Sequence, residues 1–231
     1  MHLKDSREVN ESAYDEKIGK ELVEELKPFE AVFDSISDIE AREKETSRDY
    51  CKGFYGEADT VKKTERRFCK CLYYTNTSNN VKTECANCVL RDRQADGYHT
   101  QLAGNFKVIY YEFVPTDKGN GVGNVDLILA DDNFAYLTEV KPKEGNSETL
   151  LRMFLEIETY SRVTALGNQY KNVVKDKPLR KAILFFKDSP QYKDYVSETK
   201  GVNTKKLLST FGIAVLCAEI KDNRLHIKAI G

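Results

Sequence analysis

Asp126, Glu139 and Lys141 have types and spacing that packing alone does not explain. Asp126 lies in the run NVDLILA. Strand side chains alternate, so Val125, Leu127 and Leu129 share one face and Asp126, Ile128 and Ala130 the other. Both faces are largely apolar, which predicts a strand buried on both sides. The next run, FAYLTEVK, puts Leu137, Glu139 and Lys141 on one face. A buried, unpaired carboxylate is costly, so such groups pair or bind a metal. If the two strands pair about the polar turn Asp131-Asp132-Asn133, Asp126 and Glu139 approach each other. Their mutual repulsion is relieved by a divalent cation. Mg²⁺, or Mn²⁺ in its place, takes oxygen ligands and keeps several waters. Such an ion acidifies water and neutralises charge on a phosphoryl oxygen. The Lys141 ammonium, on the face of Glu139, would orient that water or stabilise a pentavalent transition state. An ordinary Glu139–Lys141 ion pair at solvated strand ends explains the lysine but not Asp126.

A second set of reactive side chains is the pair Cys69-x-Cys71 followed by Cys85-x-x-Cys88. Two close cysteine pairs across a short loop resemble a four-thiolate Zn²⁺ site in a hairpin or ribbon. The alternative is thiols without a metal in an ordinary insertion. Cys217, in an apolar strand, reads as core. Lys62, Lys63, Arg66, Arg67 and Lys70 form a basic run, with Tyr73, Tyr74 and Tyr98 nearby. Such groups could meet phosphates and stack on bases, although a solvated helix face is the commoner meaning.

These residues need elements to position them. Residues 1–50 read as helices, with Ile18, Leu22 and Leu26 and then Phe29, Val32, Phe33 and Ile36 at helical spacing. From 51 to 100 periodicity fades and cysteine, Asn and Thr become frequent, which suggests a small inserted, zinc-binding module. Residues 101–231 read as the main domain. Strands are expected over 106–114, 125–130 and 134–140, then a helix over 147–166 capped by Asn146 or Ser147. A strand at 182–186, a helix at 203–211 stopped by Gly212 and a closing hairpin (213–220 and 225–230) complete an α/β or α+β layered domain. The 231 residues, 40% of them hydrophobic, suffice for one sizeable core. A formal charge of −1 argues against a protein that coats nucleic acid, while leaving room for a local basic groove. No apolar run is long enough to cross a bilayer, and the polar start MHLKDSREVNESAYDEK is no signal peptide. The expectation is a cytoplasmic protein with no membrane partner, where cysteines bind metal or lie buried.

Asp126 followed by Glu139-Val140-Lys141 on the next strand resembles the PD-(D/E)XK nuclease superfamily, with its restriction-endonuclease-like core of mixed sheet and flanking helices. The order meander, helix, strand over 106–186 is similar to that core, and Val125 replaces the proline of the motif. The resemblance implies that Asp126 and Glu139 bind Mg²⁺, that the Val140 carbonyl adds a ligand, and that Lys141 assists the attacking water. Glu112, placed on the Val108 and Tyr110 face, is a further candidate ligand. Some members carry a glutamate on an early helix, for which Glu21, Glu24 and Glu25 are available. Arg152, Glu156 and Tyr160 recur on one side of the following helix. Glu156 and Tyr160 stand where helicase-associated members keep a glutamine and a tyrosine; the rival reading is an Arg152–Glu156 surface pair. Lys143 is a candidate phosphate contact. Some relatives carry iron–sulfur clusters, so Cys51 with the other cysteines is an alternative to zinc.

The expected function is therefore Mg²⁺-dependent hydrolysis of DNA, with nucleic acid as partner and a homodimer where both strands are cut. The alternatives are a nuclease fold that binds nucleic acid without cutting it and a zinc-stabilised interaction module.

Overall fold

A computed structural model describes residues 65–77, 88–113, 124–143, 148–166, 173–174 and 176–231, with side chains at 162–166 excepted. The expected helices of 1–50, Glu21, Glu24, Glu25, Cys51, Lys62, Lys63, Cys85, Asn146 and Ser147 lie outside the described residues. The helices are α1 (Glu65–Thr77), α2 (Leu150–Leu166), α3 (Pro190–Val196) and α4 (Val202–Thr210). The strands are β1 (Gln101–Ala103), β2 (Lys107–Phe113), β3 (Val125–Ala130), β4 (Ala135–Lys141), β5 (Leu179–Phe186), β6 (Ile213–Lys221) and β7 (Arg224–Ala229).

All seven strands form one mixed sheet in the order β1-β7-β6-β5-β4-β3-β2. Strands β2, β3 and β4 make an antiparallel meander, and β4, β5 and β6 run parallel. Parallel neighbours need a crossover, and α2 lies in the one between β4 and β5. Helix on sheet, with both faces covered, is the α/β layering that the order of elements predicts.

Both faces of the sheet are apolar because both are covered. On one, Leu151, Phe154 and Ile157 of α2 and Leu207 and Leu208 of α4 meet Ile128, Leu137, Ile183, Phe185 and Val215. On the other, Phe68, Cys69 and Leu72 of α1, with Leu90 and Tyr98, meet Leu127, Leu129, Val140, Leu184 and Phe186. Each such side chain contributes about 1.5–3 kcal/mol on burial. Alternation places Ile128 and Ala130 with the first cluster and Leu127 and Leu129 with the second, as expected for β3. Val125, at the strand end, joins the first cluster instead.

Several local expectations change. The first cysteine pair lies on a helix, α1, instead of in a hairpin or ribbon, because Phe68 and Leu72 recur at i and i+4 against the sheet. Helix α2 begins at Leu150, and Thr149 Oγ1 accepts the Arg152 N–H at 3.2 Å as its cap. Helix α3 was not foreseen, although Ser189 caps it by accepting from the Tyr192 N–H and Pro190 follows at its first turn. In β2 the pairing shifts between Val108 and Tyr110. The extra residue inverts the alternation, so Val108 packs with α1 while Tyr110 packs on the opposite cluster. Glu112 therefore does not extend a Val108–Tyr110 face, and its own φ of 50° departs from strand geometry. The expected hairpin forms: Asp222 (φ 51°) and Asn223 (φ 56°) turn β6 into β7, a left-handed pair suited to two-residue hairpins. Among the described residues no helix is long and apolar enough to cross a membrane.

Candidate metal centre

Register brings the acidic residues together. The β3–β4 ladder pairs Leu127 with Thr138 and Ile128 with Leu137. At the end of that ladder Asp126 comes within reach of Glu139, between Glu65 of α1 and Glu156 of α2. The Val140 N–H donates to Asp126 Oδ2 at 2.8 Å, which fixes that carboxylate at the strand end. Glu139 and Lys141 follow Leu137 at intervals of two, so they leave the apolar cluster and face each other's charges.

Lys141 is only 1% exposed, and its ammonium is surrounded by carboxylates. It donates to Glu139 Oε1 at 2.6 Å, Glu65 Oε2 at 2.8 Å and Glu156 Oε2 at 3.3 Å. Glu148 Oε2 stands 2.6 Å away as a fourth ion-pair partner. Arg152 closes the far side, donating from Nε (2.9 Å) and a terminal nitrogen (2.5 Å) to Glu156 Oε1.

Five carboxylates (Glu65, Asp126, Glu139, Glu148 and Glu156) thus face two cations, Lys141 and Arg152. Burial, then the Glu65 charge, pushes the Asp126 carboxyl well above its usual range. Burial, then the Asp126 charge, does the same to Glu139. Burial also raises Glu65, against the opposing pull of Lys141. Burial works on Glu156 in the same direction, but Lys141, a hydrogen bond from Glu139 and Arg152 overcome it and hold Glu156 low. Burial opposes the Lys141 charge, yet the surrounding carboxylates win and keep the ammonium protonated. The site is short of positive charge, and its buried acids make up the deficit with protons or with a cation.

One oxygen each from Glu65, Asp126 and Glu139 lie within 4.8 Å of one another, close enough to share one hard cation. Among the described residues they form the one group of three or more His, Cys, Asp or Glu side chains so arranged. Glu65 is the member that the sequence reading missed. Its signal was an acid at the first turn of a helix that was not foreseen.

The remaining candidates divide. Glu156 and Tyr160 of α2 do reach the site; Glu156 binds Lys141, and burial with the nearby Glu139 and Glu156 charges holds the Tyr160 phenol protonated. The Arg152–Glu156 pair is real but faces inward rather than to the surface. Glu112 instead pairs with Arg66 at 2.7 Å and stands outside the three-carboxylate group. Lys143 Nζ donates to the Ala95 carbonyl at 3.3 Å. Arg66 and Arg67 are on α1, and Tyr74 and Tyr98 are core residues rather than exposed rings.

Helix geometry separates the first cysteine pair. Positions two apart on a helix project about 200° apart. Cys69 is fully buried, and burial followed by the Asp126, Glu65 and Glu139 charges pushes its thiol well up, so it faces the carboxylates. The Cys71 sulfur accepts the His99 N–H at 3.2 Å, and Cys88 is buried in the turn before Leu90. A shared metal would need Cys69 and Cys71 on one side of the helix. No family model matches this chain, and neither curated proteins nor solved structures give a match.

Proposed function

We propose that the chain is a divalent-cation-dependent nuclease that hydrolyses phosphodiester bonds of DNA. One observation carries the reading. Carboxylates from α1, β3 and β4 converge within 4.8 Å beside an ammonium on the same strand as Glu139. The meander, crossover helix and parallel fourth strand give the PD-(D/E)XK resemblance a matching order of elements.

Glu65, Asp126 and Glu139 would hold Mg²⁺ or Mn²⁺, with the Val140 carbonyl as a further ligand by resemblance. The ion would supply phosphoryl charge neutralisation and acidify a water. Lys141 Nζ, steered by Glu156 and Arg152, would aim at the attacking water or at the charge that builds on phosphorus. Water adds to phosphorus, the ester P–O bond breaks, and the leaving oxygen takes up a proton. Tyr160 borders the pocket as a neutral phenol.

The test is cleavage of plasmid, linear and single-stranded DNA with and without Mg²⁺ or Mn²⁺. Asp126→Asn keeps an oxygen for the Val140 N–H and removes the charge. It is expected to abolish cation-dependent cleavage while the circular dichroism spectrum is unchanged. Equal cleavage by Asp126→Asn and the parent chain overturns the assignment.

The self-contained Lys141 network favours a second reading, a nuclease fold that binds nucleic acid without cutting. Calorimetry showing no Mg²⁺ or Mn²⁺ uptake at the acidic cluster would select it. Zinc at the cysteines is a separate proposal, and its ligand set would leave out Cys69, which is buried beside the carboxylates.

A further inference from the structure

The outer side of α1 has a chemistry that the carboxylate pocket does not use. Arg66, Lys70, Tyr73 and Thr77 recur at i, i+4, i+7 and i+11, so they share one side of the helix. The Arg66 side chain is 70% exposed, and Lys70 and Tyr73 are half-buried. The helix lies along β2, where the Tyr73 ring meets Tyr110 (6.4 Å between centroids) and Tyr111 (5.1 Å). Tyr110 is also half-buried. Among the described residues Arg66 and Lys70 supply the cations of this side of α1, and Arg66 pairs with Glu112 of β2 at 2.7 Å. Glu65, the residue before Arg66, reaches into the pocket.

We propose that the outer side of α1, with Tyr110 of β2, is a track for single-stranded nucleic acid leading away from the carboxylate pocket. Arg66 and Lys70 meet phosphates, and Tyr73 and Tyr110 offer ring faces to unpaired bases. Cationic groups come first from the pocket and rings follow. Glu65 to Tyr73 is about 12 Å along the helix, the reach of a few nucleotides. Stacking needs bases with open faces, which a duplex hides, so the rings favour a single strand. The direction of the strand rests on the nuclease reading; the binding surface itself does not.

The experiment is fluorescence anisotropy of the full chain with a labelled oligothymidylate of about 20 residues and with a duplex of equal length, in EDTA across a salt series. The Arg66→Gln/Lys70→Gln double variant is expected to weaken binding and reduce the salt slope by about 1.4, from about 0.7 per lost phosphate contact. Tyr73→Leu is expected to weaken the single strand at least about fivefold and leave the duplex unchanged. A Lys221→Gln/Lys228→Gln variant on β6 and β7 is expected to bind as the parent does. The proposal is overturned by an unchanged salt slope, by equal losses on duplex and single strand, or by an equal loss in the β6–β7 variant. Because EDTA removes cleavage, the two readings fail separately. Normal binding by the α1 variants with cleavage intact sinks the track alone. Unimpaired cleavage by Asp126→Asn with the expected binding losses sinks the nuclease reading alone.

Discussion

Glu65 Oε2 accepts from Lys141 Nζ at 2.8 Å, which joins the first residue of α1 to the last residue of β4 across 76 positions of sequence. That contact makes α1 part of the acidic pocket. If Glu65 is a cation ligand, Glu65→Gln keeps the size and the hydrogen-bond acceptor but removes a charge. Affinity for Mg²⁺ or Mn²⁺, measured by calorimetry, is expected to fall at least about tenfold, since ligand charge sets affinity at such sites. An unchanged affinity would remove Glu65 from the ligand set.

Lys141 compensates the buried Glu139 and the partly exposed Glu65, Glu148 and Glu156. Lys141→Met retains the aliphatic stem and deletes the ammonium, leaving Glu139 buried beside Asp126 and Glu156. Breaking a buried ion pair from one side costs about 3–5 kcal/mol. Urea unfolding without divalent cation at pH 7 is expected to show a loss of that order. Added Mg²⁺ is expected to restore part of it, because a cation bound only to the folded state stabilises by mass action. Loss without any rescue would mean that the cluster does not take up the ion.

What was legible in the sequence followed from short-range rules. Alternation in β3 and β4 revealed two carboxylates on buried faces, and the Asp131–Asn133 turn predicted their approach. Two things were hidden. The α1 stripe combines Phe68 and Leu72 with two buried cysteines, and cysteine spacing suggested a metal before it suggested a helix. The bulge after Val108 adds one residue of offset, which no side-chain pattern announces, and Glu112, at φ 50°, pairs with Arg66 instead of joining the site. Long-range placement of Glu65 depends on how α1 docks, a matter of tertiary packing that local periodicity does not carry.

The turn that aligns β3 with β4 has its own pH dependence. Asp131 Oδ1 accepts the N–H groups of Asn133 (2.8 Å) and Phe134 (2.7 Å), and Oδ2 accepts the Tyr136 hydroxyl at 2.7 Å. Slight burial would raise its carboxyl, but these three donors and Lys177 outweigh burial and hold it below its usual value. A depressed folded value stabilises above the unfolded value, near 3.9, and the contribution is lost as pH falls through the folded one. Asp131→Ala is expected to cost about 1–3 kcal/mol at pH 7. The gap from the parent chain is expected to narrow below about pH 4. Urea unfolding at pH 7 and pH 3 checks both, and a gap that does not change with pH would show that the carboxylate charge is irrelevant to the turn.

Cys69 offers the sharpest check on how α1 faces the sheet. It is fully buried between Phe68 and the pocket, and burial with the neighbouring carboxylates keeps it a thiol rather than a thiolate. Only the thiolate reacts readily. Iodoacetamide is therefore expected to modify Cys69 in the native chain only through opening of the fold, at a rate that rises with urea, as peptide mapping would show. If Cys69 were instead one of four zinc ligands, Cys69→Ala would release zinc and chelation would expose it to the reagent. The helix predicts otherwise: Cys69→Ala should leave any bound zinc in place and cost about 1–2 kcal/mol for the smaller side chain in a packed site. Zinc loss on that substitution, measured by elemental analysis of the purified chain, would return Cys69 to the metal and require α1 to unwind at its first turn.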